Sequence, residues 1–175
     1  SDSIMYADIT PRPTVGYSIF YDEYGISPTS ISISTEEQWS GVLFNSDLEG
    51  YLTEIDFGIS WEVFWNTDFL NWEVYVYESF DGVSPHNLYE TVGGSADIGG
   101  WHTIQIDSMP VTSNQQFFIG IKFYNNGYVY AFDNIGELSG RSYLSGDGTY
   151  YDDMLSSYGD ANIRAKISTA TYVSV

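Results

Sequence analysis

Acidic side chains are the groups in this sequence most able to do chemistry, since Asp and Glu supply 24 of the 175 residues. Hydrolysis of a glycosidic bond needs two carboxyl groups that face each other across a cleft, roughly 5 to 9.5 Å apart. Glu54 and Asp56 alternate along one predicted strand, which places both carboxylates on the same face. A third acidic residue that would complete a Glu-x-Asp-x-(x)-Glu motif is missing, because Gly58 and Ile59 occupy its two possible positions. We therefore interpret this pair as a chance pattern and predict no catalytic site.

The histidine and cysteine content excludes several other kinds of site. His86 lies in a predicted turn and His102 lies just inside a predicted strand, and neither belongs to a metal motif such as HExxH. The sequence contains no Gly-x-Ser-x-Gly nucleophile elbow. It also contains no cysteine, which excludes disulfides, thiolate zinc sites and cysteine nucleophiles.

Calcium binding is the chemical possibility that the acidic loop at 145–154, SGDGTYYDDM, raises. Its candidate ligands are Asp147, Asp152 and Asp153, and backbone carbonyl groups would complete the roughly six to eight oxygen ligands that Ca²⁺ takes. The spacing is not that of an EF-hand. A solvated acidic turn explains the same residues equally well, so both interpretations stay open.

Asp133 presents a similar choice. Together with Asn134 and a backbone carbonyl it would form a second cation site, or it would pair with Arg141 across the GRSY turn at 140–143. We favour the ion pair and a structural role for both side chains. Lys and Arg supply only 5 residues, and the planar guanidinium fork matches a carboxylate.

Carbohydrate binding is the function class that the aromatic residues suggest, since Phe, Trp and Tyr make up 18% of the chain. A sugar-binding surface presents an exposed ring to the apolar face of a sugar and flanks that ring with amide or carboxylate groups. Trp61, Trp65 and Trp72 flank the polar segment NTDFLN at 66–71. The predicted ligand-binding residues are Trp65, Trp72, Tyr75, Tyr77, Tyr128, Tyr130, Tyr150 and Tyr151.

Aromatic residues also build the core of a sandwich, and the sequence leaves some of these assignments open. Tyr75 and Tyr77 alternate with two valines, so they would line a groove or cover a second sheet. Trp101 and Phe123 are predicted to lie in the core, with Trp101 in a structural role.

The charge balance limits the partners. Against 24 acidic residues stand 5 basic ones, for a formal net charge of −19. Phosphate backbones and anionic membrane surfaces would be repelled, so we predict neither nucleic acid nor membrane as a partner. A salt-adapted extracellular surface and carboxylates clustered around Ca²⁺ are two compatible explanations of the charge.

Strands must position all of these residues, because the hydrophobic pattern has a period of two. In the stretch 99–125, Ile104 and Ile106 alternate with polar residues, and a Pro-containing connection is expected before a second strand of the same kind. The run 51–65 is too long for one flat strand, and Gly58 predicts a bulge or bend inside it. We predict an all-β fold, a two-sheet antiparallel β-sandwich of jelly-roll type.

A single domain accounts for residues 1–175. Residues 1–13 and 169–175 are expected to be edge strands or linkers to neighbouring domains. The chain begins with neither Met nor a signal peptide, and we expect a module of a longer polypeptide.

Several spaced motifs resemble one family. Between Tyr51 and Ser168 the order of strands and turns is similar to that of jelly-roll accessory modules of secreted prokaryotic peptidases and cell-surface proteins, some of them described as lectin-like or galactose-binding-like. The matching residues are Gly100, Trp101, Pro110, Val111, Asp133, Gly140, Arg141, Ser142, Tyr143, Asn162, Ile163 and Arg164. The resemblance implies the fold and an extracellular or cell-surface location, and it carries no catalytic residue.

The sequence thus predicts a non-catalytic extracellular binding module, with a glycan or surface ligand as partner and Ca²⁺ as a possible stabilising ion. One alternative is a structural spacer or docking domain of a secreted peptidase or adhesin. A glycoside-active enzyme is the less favoured alternative, because the carboxylate motif is incomplete.

Overall fold

The computed structural model of the chain contains two large antiparallel sheets packed face to face. The structure describes residues 9–11, 15–23, 25–26, 30–31, 38–124, 130–153, 158–169 and 172–174. Within these ranges no helix has the length and apolar character that crossing a bilayer would require. The two-sheet antiparallel β-sandwich predicted from the sequence is confirmed.

The strands are numbered in chain order. They are β1 (Ile9–Pro11), β2 (Val15–Ile19), β3 (Ser30–Ile31), β4 (Gln38–Ser46), β5 (Gly50–Ile59), β6 (Leu70–Phe80), β7 (Pro85–Ala96), β8 (Gly100–Val111), β9 (Gln115–Phe123), β10 (Tyr130–Asp133), β11 (Ser142–Ser145), β12 (Asp160–Ala161), β13 (Ile163–Thr169) and β14 (Tyr172–Ser174).

The larger sheet of the described residues has seven strands and is organised around β5. Its order is β12-β10-β5-β13-β2, with β3 added to β10 and β8 added to β5. The register of β5 shifts between Leu52 and Glu54 against β8, so the irregularity lies at Thr53. The predicted bulge at Gly58 is therefore wrong, since Gly58 pairs in register with Trp101.

Close packing is the physical reason for glycine at position 58. A Cβ atom added there would lie 2.9 Å from the Cβ of Asn162 and 3.0 Å from the Cβ of Ala131. No side chain fits at that separation without movement of its neighbours.

The second sheet has five strands in the order β11-β4-β9-β6-β7. β9 lies between β4 and β6 and pairs with β4 without a register shift, from Gln38 opposite Phe123 to Ser46 opposite Gln115. Ile119, Ile121 and Phe123 are buried on its inner face, as the period of two predicted. A separate pair, β1 with β14, joins the two ends of the described chain.

Aromatic contacts join the sheets in the core. The rings of Phe57 on β5 and Trp72 on β6 meet edge to face with 4.9 Å between their centroids. Phe123 on β9 and Tyr130 on β10 also meet edge to face, at 5.8 Å. Within the five-stranded sheet, the paired rings of Phe44 on β4 and Phe117 on β9 stack at 5.3 Å. Burying a side chain of this size contributes about 1.5–3 kcal/mol, so the inner faces supply most of the driving force for closing the sandwich.

Two sequence predictions about connections are corrected. The run 51–65 is not strand throughout, because β5 ends at Ile59 and a 3₁₀ helix follows at Trp61–Trp65. Pro110 lies inside β8 and pairs with Tyr51, rather than in the connection to β9. β8 tolerates a proline because, in the part of the chain that the structure describes, it pairs with β5 alone and is an edge strand.

Candidate ligand-binding surface

The connection between β5 and β6 carries the most exposed tryptophan candidate. Ser60 caps the 3₁₀ helix, since its Oγ accepts a hydrogen bond from the backbone N–H of Glu62 at 3.3 Å. At the other end, the N–H of Asn66 donates to the carbonyl oxygen of Val63 at 3.4 Å. The Val63 side chain is buried in the core. The turn is thus anchored at both ends and at its centre, and it holds the rings beside it in place.

The rings on this turn face solvent. Trp65 is 75% exposed and Trp61 is 55% exposed. Trp61 rests on the turn that precedes β8, because a Cβ added to Gly99 would lie 2.8 Å from the Trp61 Cα and from its ring. Exposed large apolar side chains that lie together mark interaction sites. We use the name indole surface for Trp61, Trp65, Phe69 and Ile98, the exposed apolar residues of the 60–70 connection and the 97–99 turn.

Polar groups flank the indole surface. Asn66 and Asp68 are exposed between Trp65 and Phe69. Thr67 Oγ1 donates to the carbonyl oxygen of Phe69 at 3.0 Å, which braces this part of the loop. The segment therefore supplies amide and carboxylate oxygens beside an open indole ring, the combination that sugar hydroxyls and the apolar face of a sugar require.

Three of the predicted ligand-binding residues are in fact buried. The Trp72 ring contacts Phe57, and Tyr130 packs edge to face on Phe123 at 5.8 Å. Tyr151 is also buried, and burial raises its pKa well above the usual range. These rings leave no face for a ligand, so their assignment to an exposed platform is wrong. Tyr128 lies outside the described residues.

Tyr75 and Tyr77 lie on the outer face of the five-stranded sheet, in a second hydrophobic cluster. Tyr75 is 4.9 Å from the Trp39 ring and 6.4 Å from the Tyr77 ring, between ring centroids. Tyr151 reaches this cluster from the 145–153 loop and meets Phe118 at 4.9 Å. We call this group the outer aromatic cluster; its members are Trp39, Leu43, Tyr75, Tyr77, Phe80, Phe118, Tyr143 and Tyr151.

The 145–153 loop covers part of the outer aromatic cluster. The ring of Trp39 lies so close to Gly148 that an added Cβ would be 2.7 Å from it. Tyr150, beside the buried Tyr151, points outward and is 68% exposed. The sequence leaves open whether Tyr75 and Tyr77 line a groove or cover a sheet, and the structure places both rings, half-buried, within the outer aromatic cluster.

The three predicted calcium ligands of the same loop differ in their surroundings, and the side chain of Asp147 organises the loop backbone. Asp147 Oδ1 accepts hydrogen bonds from the N–H groups of Thr149 at 2.8 Å and Tyr150 at 2.9 Å, and these bonds lower its pKa. Asp152 pairs with Leu144 through backbone hydrogen bonds, and Asp153 is exposed. Among the described residues, no group of three or more His, Cys, Asp or Glu side chains is arranged to hold a metal ion. Calcium binding through Asp147, Asp152 and Asp153 stays a prediction.

The predicted ion pair between Asp133 and Arg141 is wrong. Arg141 Nη1 donates to the carbonyl oxygen of Leu43 at 3.2 Å, and its guanidinium group lies 5.0 Å from the centroid of the Tyr21 ring. Asp133 is buried and accepts a hydrogen bond from the N–H of Ile135 at 3.0 Å. Arg141 runs beside β4 because its own carbonyl accepts from the N–H of Leu43, and this pairing directs the side chain toward β4.

The carboxylates first considered for catalysis have partners on the outer face of the seven-stranded sheet. Lys166 Nζ donates to Glu54 at 3.2 Å, and Thr103 Oγ1 donates to Asp56 at 2.6 Å.

The two histidines have local partners as well. His86 Nε2 lies 2.7 Å from an Asp81 oxygen, and this hydrogen bond is the main reason that the pKa of Asp81 falls to about 2. His102 Nε2 lies 2.9 Å from the carbonyl oxygen of Ile98.

Trp101 is not a core residue, contrary to its prediction. It is 39% exposed and lies against Arg164, whose guanidinium carbon is 4.2 Å from the ring centroid. A signal in the sequence points to this position, because Trp101 shares its alternation phase with Thr103 and Gln105 rather than with the inward-facing isoleucines. Phe20 and Asp22, the other residues around Arg164, carry no such signal.

Comparison with known proteins relates most of the sandwich to one family. A family model described as a lectin like domain matches residues 19–169. The crystal structure of the cysteine protease and lectin-like domains of Cwp84, a surface layer associated protein of Clostridium difficile, is similar with a TM-score of 0.58 and 15% identity. That match covers 77% of this chain and 32% of the other chain.

A structure of the clostridial cysteine protease Cwp84 after propeptide cleavage is similar with a TM-score of 0.63 and 16% identity, over 88% of this chain and 40% of the other. At such identities the likeness shows the fold alone, and the chain spans less than half of either solved chain. No curated protein matches the sequence. Because the family match extends over residues 19–169, the chain belongs to the lectin-like domain family.

Proposed function

We propose that this chain is a non-catalytic, glycan-binding module of a longer cell-surface protein, and that the indole surface is its binding site. The observation that carries the proposal is the 75% exposure of Trp65 on a turn anchored by Ser60 and by the buried Val63. An aromatic ring held open to solvent on an ordered turn binds the apolar face of a sugar with little loss of backbone freedom on binding.

The charge of the chain favours neutral glycans. At a net charge of −19, a uronate- or phosphate-bearing polymer would be repelled over most of the surface. Asn66 and Asp68 beside the exposed ring are acceptors for hydroxyl groups. Hydroxyl donors on an uncharged sugar match this set best.

The comparisons support the setting. The chain belongs to a family described as lectin-like, and it resembles part of a clostridial protein whose description names a cysteine protease and the surface layer. The chain spans 32% and 40% of the two solved chains, so neighbouring domains in a longer protein are part of the proposal. Calcium remains a predicted stabiliser rather than part of the binding site.

The test is glycan binding with one ring removed. An array of neutral oligosaccharides identifies the ligand, and calorimetry then compares the wild type with Trp65→Ala and with Tyr150→Ala. Tyr150 is the matched control, because the proposal places the site on the indole surface and no longer includes Tyr150, whose ring is 68% exposed on the loop over the outer aromatic cluster. We expect Trp65→Ala to weaken binding at least about tenfold, or about 1.4 kcal/mol, and Tyr150→Ala to leave it unchanged. The proposal fails if the wild type binds no neutral glycan or if Trp65→Ala binds as well as the wild type.

A second candidate function is docking to a neighbouring domain through the same surface. The apolar residues Phe69 and Ile98 are exposed, and the acidic residues Glu62, Asp68 and Asp97 lie on the same two connections. A protein surface with an apolar centre and a basic rim would fit. If docking occurs, acrylamide will quench Trp65 fluorescence less in a chain extended by its neighbouring domain, and no glycan will bind.

A further inference from the structure

A second exposed aromatic arrangement lies on the outer face of the seven-stranded sheet. The guanidinium carbon of Arg164 is 4.2 Å from the centroid of the Trp101 ring and 5.0 Å from that of Phe20. Phe20 is 50% exposed, and Trp101 is exposed as well. We call these three side chains the guanidinium array. A cation stacked between two rings orients both of them, so their exposed faces keep a defined position.

A buried carboxylate holds the array from below. Asp22 is fully buried, and both of its oxygens accept hydrogen bonds from Arg164, with Nε at 3.1 and 3.2 Å and Nη2 at 2.6 Å. Asn162 Nδ2 adds a further bond to Asp22 at 3.2 Å. These bonds use one edge of the guanidinium group, and Nη1 is outside them. The array therefore combines two ring faces with a donor group that is fixed before any ligand arrives.

The surroundings of the array are polar, and the cations that they contain are paired with carboxylates. Arg164 is balanced by Asp22, and Lys166 on the same strand is balanced by Glu54. Asp56 pairs in register with Arg164 on one side and with Thr103 on the other, and Thr103 Oγ1 donates to Asp56 at 2.6 Å. A face of this composition suits an uncharged, hydroxyl-rich ligand even on a chain that is strongly acidic overall.

The array begins where the indole surface ends. Trp61 lies on Gly99 and Gly100, and Trp101 is the next residue of β8. From there the array crosses the sheet from β8 over β5 and β13 toward β2, with the Arg164 guanidinium carbon 4.2 Å from the Trp101 centroid and 5.0 Å from the Phe20 centroid. The indole surface does not explain why the Trp101 and Phe20 rings are exposed, and the guanidinium array does not explain why the Trp65 ring is exposed.

Building on the proposed glycan-binding function, we infer that the ligand is an extended polysaccharide chain, which contacts the indole surface and continues across the guanidinium array. A single terminal sugar would need Trp65 and its polar neighbours alone. The array adds subsites for further sugar units, with Trp101 and Phe20 as stacking surfaces and Arg164 as their support. Affinity will therefore rise with the length of the oligosaccharide.

The experiment compares short and long ligands of one kind. Disaccharides and hexasaccharides of glucose, xylose, mannose and N-acetylglucosamine are titrated into the wild type, Trp65→Ala, Trp101→Ala, Phe20→Ala and Tyr150→Ala. We expect the hexasaccharide of the recognised sugar to bind about tenfold tighter than its disaccharide in the wild type and in Tyr150→Ala. Trp101→Ala and Phe20→Ala reduce that gain while disaccharide binding persists, and Trp65→Ala weakens both ligands.

The outcomes separate the two proposals. Equal affinities for disaccharide and hexasaccharide, or a length gain that survives both Trp101→Ala and Phe20→Ala, overturn the extended site and leave glycan binding in place. If no oligosaccharide binds the wild type, both proposals are overturned. Melting curves of each variant establish that a loss of binding is not a loss of fold. Arg164 is not substituted, because its removal would leave the buried carboxylate of Asp22 without its ion-pair partner.

Discussion

Removal of Arg164 tests the central electrostatic feature of the molecule. In Arg164→Ala the carboxylate of Asp22, with none of its side chain exposed, loses its bonds to Nε and Nη2 and keeps the one from Asn162. Breaking a buried ion pair by deleting one partner costs about 3–5 kcal/mol. Since 29% of the Arg164 side chain is exposed and one donor to Asp22 remains, we expect a loss at the lower end, about 3 kcal/mol.

Urea unfolding, followed by tryptophan fluorescence, measures this loss. A decrease of about 3 kcal/mol is a large share of the roughly 5–15 kcal/mol that stabilises an ordinary domain, so the midpoint will fall clearly. Lys166→Ala is the matched control, because Lys166 lies two residues further along β13 and pairs with Glu54 at 3.2 Å near the surface. Exposed pairs of this kind contribute about 0–1 kcal/mol.

A double variant tests whether Arg164→Ala loses stability because Asp22 is left without its ion-pair partner or because the packing of the Arg164 side chain is lost. If the buried charge of Asp22 is the cause, Asp22→Asn in the Arg164→Ala background will recover part of the stability, since a neutral amide is less costly to bury than a carboxylate. The reasoning is refuted if Arg164→Ala destabilises no more than Lys166→Ala. It is also refuted if Asp22→Asn lowers the stability of Arg164→Ala further.

Three further predictions concern the loops and buried acids. Tyr151→Ala should lower the free energy of unfolding by about 3–5 kcal/mol, because removal of the buried ring leaves a cavity against Phe118. Tyr150→Ala should change that free energy by no more than about 0.5 kcal/mol, since the Tyr150 ring is exposed. Equal losses in urea unfolding would contradict this prediction. Burial raises the pKa of Asp160, so its contribution to stability is full below the usual aspartate pKa of about 4 and is lost as the pH rises through the folded value. Asp160→Asn should therefore gain stability relative to the wild type between about pH 3 and pH 7, and a constant or declining difference in unfolding free energy would count against it. If Ca²⁺ binds the 147–153 loop of the folded chain, a hundredfold excess over its Kd should add about 2.7 kcal/mol to the free energy of unfolding and raise the melting temperature. Asp147→Asn should show no such rise. A melting temperature that changes with neither Ca²⁺ nor chelator would contradict the calcium hypothesis.

The strands of the sandwich were predictable because side-chain alternation is a local property. Ile119, Ile121 and Phe123 are buried on the inner face of β9, as their spacing indicates. The prediction of a core position for Trp101 is wrong because its alternation phase is that of the outward Thr103, and phase rather than apolar type decides which face of a sheet a side chain takes. The end of β5 has no distinct signal, because the cap by Ser60 resembles a continuing strand in the sequence.

The exposure of individual loop rings had no comparable signal. Tyr150 and Tyr151 are neighbours with the same side chain, yet one faces solvent and the other packs on Phe118. The loop that carries them has no period, so which ring turns inward depends on how the loop lies on Trp39 and on the outer face of the five-stranded sheet.

By itself, the sequence determined an all-β sandwich, an acidic surface and a chain without cysteine chemistry, because composition and a period of two are readable residue by residue. Only the tertiary structure decided which rings remain open to a ligand and which acid supports Arg164. Asp22 is 142 positions away from that arginine, and a partner at such a distance is chosen by the pairing of β2 with β13, which no local pattern of residues encodes. Burial depends on what the rest of the chain places over a side chain, and for this protein that is decided by the packing of the sheets and their loops.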